Sequence, residues 1–283
     1  MIEIKTVGVV GAGTMGNGIA QVFAQAGFDV CLVDTAEPVL ARAKDAIARS
    51  LGKFVKKGTL TGVDRDAALG RIATATSLDR LSNTHFVVEA ILEDADAKRT
   101  LFTSLDAIVT PDVILASNTS SISITTLGSS TRRADRVLGM HFMNPVPLMP
   151  LVELIHGQAT SASTMQVAHA LCSSLGKTAV EAGDYPGFIA NRILMPMINE
   201  AIYAVMEGVG KPEAVDTVMR LGMNHPMGPL QLADFIGLDV CLAIMNVLHE
   251  GFGDSKYRPC PLLRRMVAAG DLGRKTGQGF YAY

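Results

Sequence analysis

The sequence predicts an α/β chain, with an N-terminal doubly wound, mainly parallel sheet and a C-terminal all-helical domain. Three observations predict it. The chain opens on a complete strand, Gly-rich turn, helix and second strand; short apolar runs then alternate with helical stretches; and β-prone segments stop near residue 184, after which nearly everything is helical. Parallel neighbours need crossovers, and crossover helices cover the faces of the sheet they join.

The opening unit carries the most information. Val7 to Val10 read as a strand, Gly11-Ala12-Gly13-Thr14-Met15-Gly16 as a turn that opens a helix, and Val30-Cys31-Leu32-Val33-Asp34 as a second strand ending in an acid. This is the full Rossmann-type dinucleotide-binding unit, not an isolated G-x-G-x-x-G. Gly11 permits the tight turn, Gly13 lets the backbone approach a pyrophosphate, and Gly16 lets the helix lie close on the strand. The pyrophosphate is expected at the helix N-terminus, where unpaired N–H groups and the positive dipole end favour an anion. Asp34, 18 residues beyond Gly16, is placed to accept both ribose hydroxyls of the adenosine half. A 2′-phosphate would face its charge, and Thr35-Ala36-Glu37 offer no Arg or Lys to neutralise it, so NAD is expected over NADP.

The next elements follow from pattern. Residues 38–57 have helical spacing of Ala and Leu between charged positions and form the crossover after the second strand. Apolar runs at 71–75, 85–90, 113–116 and 136–142 read as further strands, with helical stretches between most of them, notably 95–109. A last β-prone run at 178–184 ends in Gly183-Asp184-Tyr185-Pro186-Gly187. Helices are expected at 191–207, at 212–221, where Pro212 opens the first turn, and at 229–248. The expected division is a cofactor-binding domain, 1–184, and a helical domain, 185–283.

The late helices are apolar on more than one side. Ile193, Leu194, Met197, Ile198, Ile202, Val205 and Met206 lie in one, and Leu238, Val240, Leu242, Ile244 and Val247 in another. Such helices need partners on several faces. A homodimer through this domain is expected, the alternative being burial within one chain.

Composition excludes several classes. With 48% hydrophobic and 18% charged residues among 283, the chain fits a compact enzyme rather than a disordered one. A net charge of −2 without a basic block argues against a nucleic-acid partner. Cys31, Cys172, Cys241 and Cys260 show no C-x-x-C pair and no His at metal-ligand spacing, so no metal is expected and reduced thiols fit a cytoplasmic protein. No signal-peptide pattern precedes the first strand, and no apolar run approaches the ~20 residues of a membrane span.

Candidate chemistry gathers at strand ends. His141 follows the apolar run Val137-Leu138-Gly139-Met140 and precedes Phe142-Met143-Asn144-Pro145-Val146-Pro147, so it sits at the sheet edge that binds ligands. His has a pKa suited to removing a hydroxyl proton. His85, at the opposite end of its strand, reads as structural. Glu153, twelve residues after His141, lies inside Leu151-Val152-Glu153-Leu154-Ile155. A carboxylate in an apolar run needs a partner, and an imidazole is one; the alternative is a half-exposed strand with Glu153 in water. Ser117-Asn118-Thr119-Ser120-Ser121 forms a polar segment after another strand, and Asn191 opens the first late helix. Such clusters also serve as helix caps.

Together these blocks resemble the 3-hydroxyacyl-CoA dehydrogenase family, closest to its short bacterial 3-hydroxybutyryl-CoA members. The resemblance runs end to end: Gly11 to Gly16 with Asp34, Val88-Glu89-Ala90 with Glu93 and Lys98, Ser117 to Ser121, His141 to Pro147, Gly187-Phe188-Ile189-Ala190-Asn191-Arg192, and Lys275-Thr276-Gly277-Gln278-Gly279-Phe280-Tyr281. The His-Phe-x-Asn-Pro block with a Glu twelve residues after the His is its specific part. The resemblance implies that His141 is the catalytic base, Glu153 its orienting carboxylate, and Ser120 and Asn191 the contacts to the substrate oxygen. It further implies that Glu93, Lys98, Ser120, Asn144 and Lys275 contact the cofactor and that Ser50, Lys53 and Lys57 meet coenzyme A. Lys53, Lys56 and Lys57 read equally well as a solvated helix face. The implied reaction interconverts (S)-3-hydroxyacyl-CoA and 3-oxoacyl-CoA with NAD, in fatty-acid or butyrate metabolism, with closure of the two domains on acyl-CoA. Two other readings compete: a β-hydroxyacid dehydrogenase of small free acids, and a non-catalytic NAD-binding structural protein.

Overall fold

In the computed structural model, which describes residues 4–283, the chain divides into two compact units, one ending at Asp184 and the other spanning Tyr185–Tyr283. The first unit begins with β1 (Thr6–Val10), α1 (Thr14–Gln25), β2 (Asp29–Val33), α2 (Glu37–Lys56), α3 (Gly62–Gly70) and β3 (Ile72–Ala75). It continues with β4 (Phe86–Glu89), α4 (Ala95–Ile108), β5 (Ile114–Ser117), α5 (Ile124–Ser129), β6 (Val137–Phe142), β7 (Leu151–His156), α6 (Ala162–Ser174) and β8 (Thr178–Gly183). The eight strands form one sheet in the order β3-β2-β1-β4-β5-β6-β7-β8. The sheet is the doubly wound one expected. From β1 the chain runs outward to β2 and β3, then returns to β4 on the other side, which makes a switch point beside the Gly-rich turn.

Period-two alternation sorts the side chains. Val7 and Val9, Val30 and Leu32, Phe86 and Val88, Leu138 and Met140, and Val152 and Leu154 share one buried core with Ile19 and Phe23 of α1, Leu40 and Ile47 of α2, and Ala168 and Leu171 of α6. The intervening residues, Glu89, Ser117, Gly139 and His141 among them, therefore project from the other face.

The sheet departs from a uniform parallel ladder at β7, which pairs antiparallel with β6 and parallel with β8. The connection between β6 and β7, residues 143–150, is too short for a parallel crossover, so the chain folds straight back. The β7–β8 link, which contains α6, is long enough for one.

The second unit is helical: α7 (Ala190–Met206), α8 (Pro212–Thr217), a π-helical turn Val218–Gly222, α9 (Pro229–Ile236), α10 (Leu238–Phe252) and α11 (Pro261–Ala269). Met195, Ile198, Ile202, Leu230, Leu238, Met245, Leu248 and Leu263 make its core. The single helix expected at 229–248 is two helices, bent by 98° at Gly237. Gly237 has φ +105°, a conformation that L side chains rarely adopt, so the helix ends there whatever its apolar pattern. Among the described residues no single helix is long and apolar enough to cross a membrane.

The aromatic tail of this unit is docked, not frayed. Asp234, 1% exposed, accepts hydrogen bonds from the Phe280 and Tyr281 amides (3.0 Å each) and the Tyr283 hydroxyl (3.2 Å). Asp216 accepts from the Tyr281 hydroxyl (2.8 Å) and from the Leu230 and Gln231 amides at the start of α9 (2.8 and 2.9 Å).

Candidate active site

The three glycines of the first turn are required for three different reasons. Gly11 has φ +98°, and a Cβ there would lie 2.5 Å from the Ala90 carbonyl oxygen. A Cβ on Gly16 would lie 1.6 Å from the Gly11 carbonyl oxygen, so only glycine lets α1 close on the turn. A Cβ on Gly13 would meet no protein atom within 4 Å. Nothing in the fold demands glycine at that position, whereas a group approaching the N-terminus of α1 would. Gly13 is also the N-cap of α1 and brings no side chain to its first-turn N–H groups. The turn thus fits a pyrophosphate held by backbone amides and the helix dipole. Asp34 follows β2 directly; its carboxylate accepts from the Ala12 amide at 2.8 Å and from the Ala36 amide at 3.4 Å.

A charged network joins the ends of β4 and β5. Glu89 is fully buried, and it accepts from Lys98 Nζ (2.5 Å), the Ile91 amide (2.7 Å) and the Ser117 hydroxyl (2.6 Å). Lys98 is 1% exposed, and its ammonium also lies 3.4 Å from Glu93. Glu93 in turn accepts from the Thr119 hydroxyl (2.6 Å), the Ser120 amide (2.9 Å) and the Ser121 amide (3.1 Å). Burial pushes the Glu93 carboxyl up, but the Lys98 charge and the bonds from Thr119, Ser120 and Ser121 outweigh it and hold the group below the usual glutamate range. The Ser117 to Ser121 segment is thereby fixed on a carboxylate.

His141 and Glu153 are directly opposed across the antiparallel β6–β7 pair, and His141 Nδ1 lies 2.7 Å from Glu153 Oε2. The twelve-residue spacing now has a physical cause: the strand folds back after residue 142, and residues 142↔152 and 141↔153 face each other. Both side chains are buried, 8% and 2% exposed. A carboxylate so placed must be paired, and the imidazole pairs it. Next to them the Asn118 side chain accepts from the Phe142 amide at 2.9 Å and ties the end of β6 to that of β5. His85, at the other end of β4, bonds instead to Thr6, with Nδ1 2.5 Å from the Thr6 hydroxyl.

On α2, whose buried stripe is Leu40, Ala43, Ile47 and Leu51, Ser50 is half-buried at the edge of that stripe and Lys53 is exposed, while Lys57 caps the C-terminus. In the helical unit Asn191 is 8% exposed in the first turn of α7. Lys275 ion-pairs there with Asp239 in the first turn of α10. Sequence reasoning quoted Glu89, Asn118 and Asp184 within its segments but assigned none of them a role. Asp184 accepts from the Ser123 hydroxyl (2.8 Å) and from the Ile124 and Thr125 amides (2.9 and 2.7 Å), and so holds the start of α5. Glu89 could have been found by the logic used for Glu153, a carboxylate closing an apolar strand.

A Gly-rich turn suited to a dinucleotide and a histidine–carboxylate pair at the carboxyl edge of the same sheet define a nicotinamide-dependent oxidoreductase. Comparison with known proteins narrows the class. Residues 6–185 match the family model described as "3-hydroxyacyl-CoA dehydrogenase, NAD binding domain", and residues 187–283 match its C-terminal domain. The chain belongs to the 3-hydroxyacyl-CoA dehydrogenase family, and its cofactor is NAD. It is 55% identical over 280 residues to the 3-hydroxybutyryl-CoA dehydrogenase of Bradyrhizobium diazoefficiens, covering 99% of this chain and 96% of that one. With the 3-hydroxybutyryl-CoA dehydrogenase of Clostridioides difficile it shares 48% over 275 residues, 97% and 98% of the two chains. The crystal structure of (S)-3-hydroxybutyryl-CoA dehydrogenase from Ralstonia eutropha superposes with a TM-score of 0.97 at 53% identity, over 99% of each chain.

Proposed function

We propose that this enzyme interconverts (S)-3-hydroxyacyl-CoA and 3-oxoacyl-CoA, with 3-hydroxybutyryl-CoA and acetoacetyl-CoA as its pair, using His141 as general base. The observation that carries the reading is the buried His141–Glu153 pair at 2.7 Å. Nδ1 is engaged by Glu153, so proton transfer is assigned to Nε2: it takes the C3 hydroxyl proton in oxidation and returns it in reduction. Glu153 fixes the ring's orientation and stabilises the imidazolium that forms. NAD, when bound, supplies the hydride acceptor. Ser120, on the segment that Glu93 fixes, and Asn191 hold the substrate oxygen as it changes between hydroxyl and carbonyl, which contributes orientation and charge stabilisation. Glu93, Asn144 and Lys275 contact the cofactor, with Lys98 behind Glu93. Ser50, Lys53 and Lys57 meet the coenzyme A phosphates. The relatives' shared name supports the butyryl chain length.

The test is the initial rate of NADH oxidation with acetoacetyl-CoA, beside free acetoacetate and with NADPH in parallel. Fast turnover with the CoA ester and NADH alone is expected. Activity on the free acid would move the chain to the small-acid dehydrogenases, and no activity on either would leave a non-catalytic NAD-binding protein.

We also propose a homodimer through the helical unit, which exposes Val209, Val218, Leu221 and Met223 at 58–79% of their surface. Sedimentation at micromolar concentration should give the dimer mass; a monomer would end this reading. The four free cysteines, three of them buried, support a cytoplasmic address.

A further inference from the structure

We infer that Lys177 is a positioning residue for the reaction, its ammonium clamping the β6–β7 connection that fixes His141, Glu153 and Asn144 relative to one another. The residue stands just ahead of β8, outside every motif singled out in the sequence. Its Nζ donates to the Val146 carbonyl and to the Met149 carbonyl, each at 2.7 Å. Among the described residues no carboxylate pairs with it, and burial pushes its ammonium below the usual lysine range. A cation kept in a desolvating place without a counter-charge is held there by its two carbonyl acceptors.

The connection it grips is held at other points as well. Within it, the Leu148 and Met149 amides both bond the Pro145 carbonyl, at 2.9 and 3.0 Å. Its far end is tied by the Thr178 amide to the Pro150 carbonyl at 2.7 Å. Its middle rests on α1, where a Cβ on Gly18 would come 2.9 Å from the Val146 Cβ. The connection therefore bridges the cofactor helix and the strands of the catalytic pair, and Lys177 bonds to its middle from the β8 side. His141 lies two residues before it and Glu153 three after it. A shift of the connection changes both ends at once.

The inference rests on the proposed function for its kinetic part and on geometry alone for its structural part. Lys177→Met keeps the stem and removes the donors; Lys177→Arg restores donors to both carbonyls. For Lys177→Met we expect kcat to fall about 10- to 100-fold, as misplacement of reacting groups does. The KM for acetoacetyl-CoA should change far less, the isotope effect with deuterated NADH should increase, and Lys177→Arg should recover most of the loss. Amide hydrogen exchange across residues 143–150 should quicken in Lys177→Met and not in Lys177→Arg. If Lys177→Met does not fold, Lys177→Gln is measured in its place. Unchanged kcat with only a lowered melting temperature overturns the inference, as does unchanged exchange across 143–150. A wild-type protein inactive on acetoacetyl-CoA would count against the proposed function alone, because the exchange measurement still decides the clamp.

Discussion

At the residue scale the account depends on a few side chains whose environments give them distinct tasks. His141→Gln should keep the fold and NAD binding but lose ~10²–10⁴-fold in turnover, the usual share of a general base. Glu153→Gln should also lose activity, because the amide cannot stabilise an imidazolium; wild-type kcat in that variant would dissolve the pair. The glycines separate fold from function. A methyl at Gly13 meets no protein atom, so Gly13→Ala should leave the melting temperature unchanged while weakening NAD binding in a fluorescence titration. Gly16→Ala should fail differently, by loss of folded protein, since its Cβ would fall 1.6 Å from a carbonyl oxygen. Much at this scale is legible in sequence. The turn glycines, Asp34, His141 and Glu153 each break a local pattern in a way that chemistry explains. Lys98 is not legible in the same way: only the family resemblance singles it out, and it is 1% exposed because Glu89, nine positions before it, accepts from its ammonium at 2.5 Å.

At the element scale the decisive device is the fold-back from β6 to β7. It turns a twelve-residue spacing into a cross-strand contact and brings the N-terminal end of β7 to the carboxyl edge of the parallel strands. The apolar runs reveal both strands, but not their relative direction, which the short connection sets. Gly237 gives the converse lesson. The pattern through 229–248 is continuously helical, and one left-handed glycine splits it into α9 and α10. The Glu93 network, linking α4 to the end of β5, has a pH signature. Its native carboxyl lies below the usual range, so the unfolded chain binds the proton more readily. Its stabilisation is therefore present above the ordinary glutamate value and lost as pH falls through the native one. Thermal unfolding against pH should show an acid limb that is shallower in Glu93→Gln; identical limbs would contradict the network.

At the scale of the whole molecule, the two units are built on different grounds. The first is a sheet whose alternating residues fill cores on both faces; the second is a helical body closed by its own tail. Asp234 shows how the tail is held. Burial raises its carboxyl above the usual range, against the bonds from Phe280, Tyr281 and Tyr283. Asp234→Ala would strand the two tail amides and should cost about 1–3 kcal/mol in denaturant unfolding. An unchanged midpoint would mean that the tail is held by its aromatic contacts alone. The aromatic pair in the sequence signals that burial is needed, but its shared carboxylate partner Asp234, 46 positions from Phe280 and 47 from Tyr281, belongs to tertiary structure.

The most direct test of the central claim is the single-turnover rate of NADH oxidation by His141→Gln against wild type, with saturating acetoacetyl-CoA and NADH affinity measured alongside. The account predicts a rate lower by ~10²–10⁴-fold with NADH affinity unchanged. A wild-type rate in the variant would contradict it and take His141 out of the chemistry.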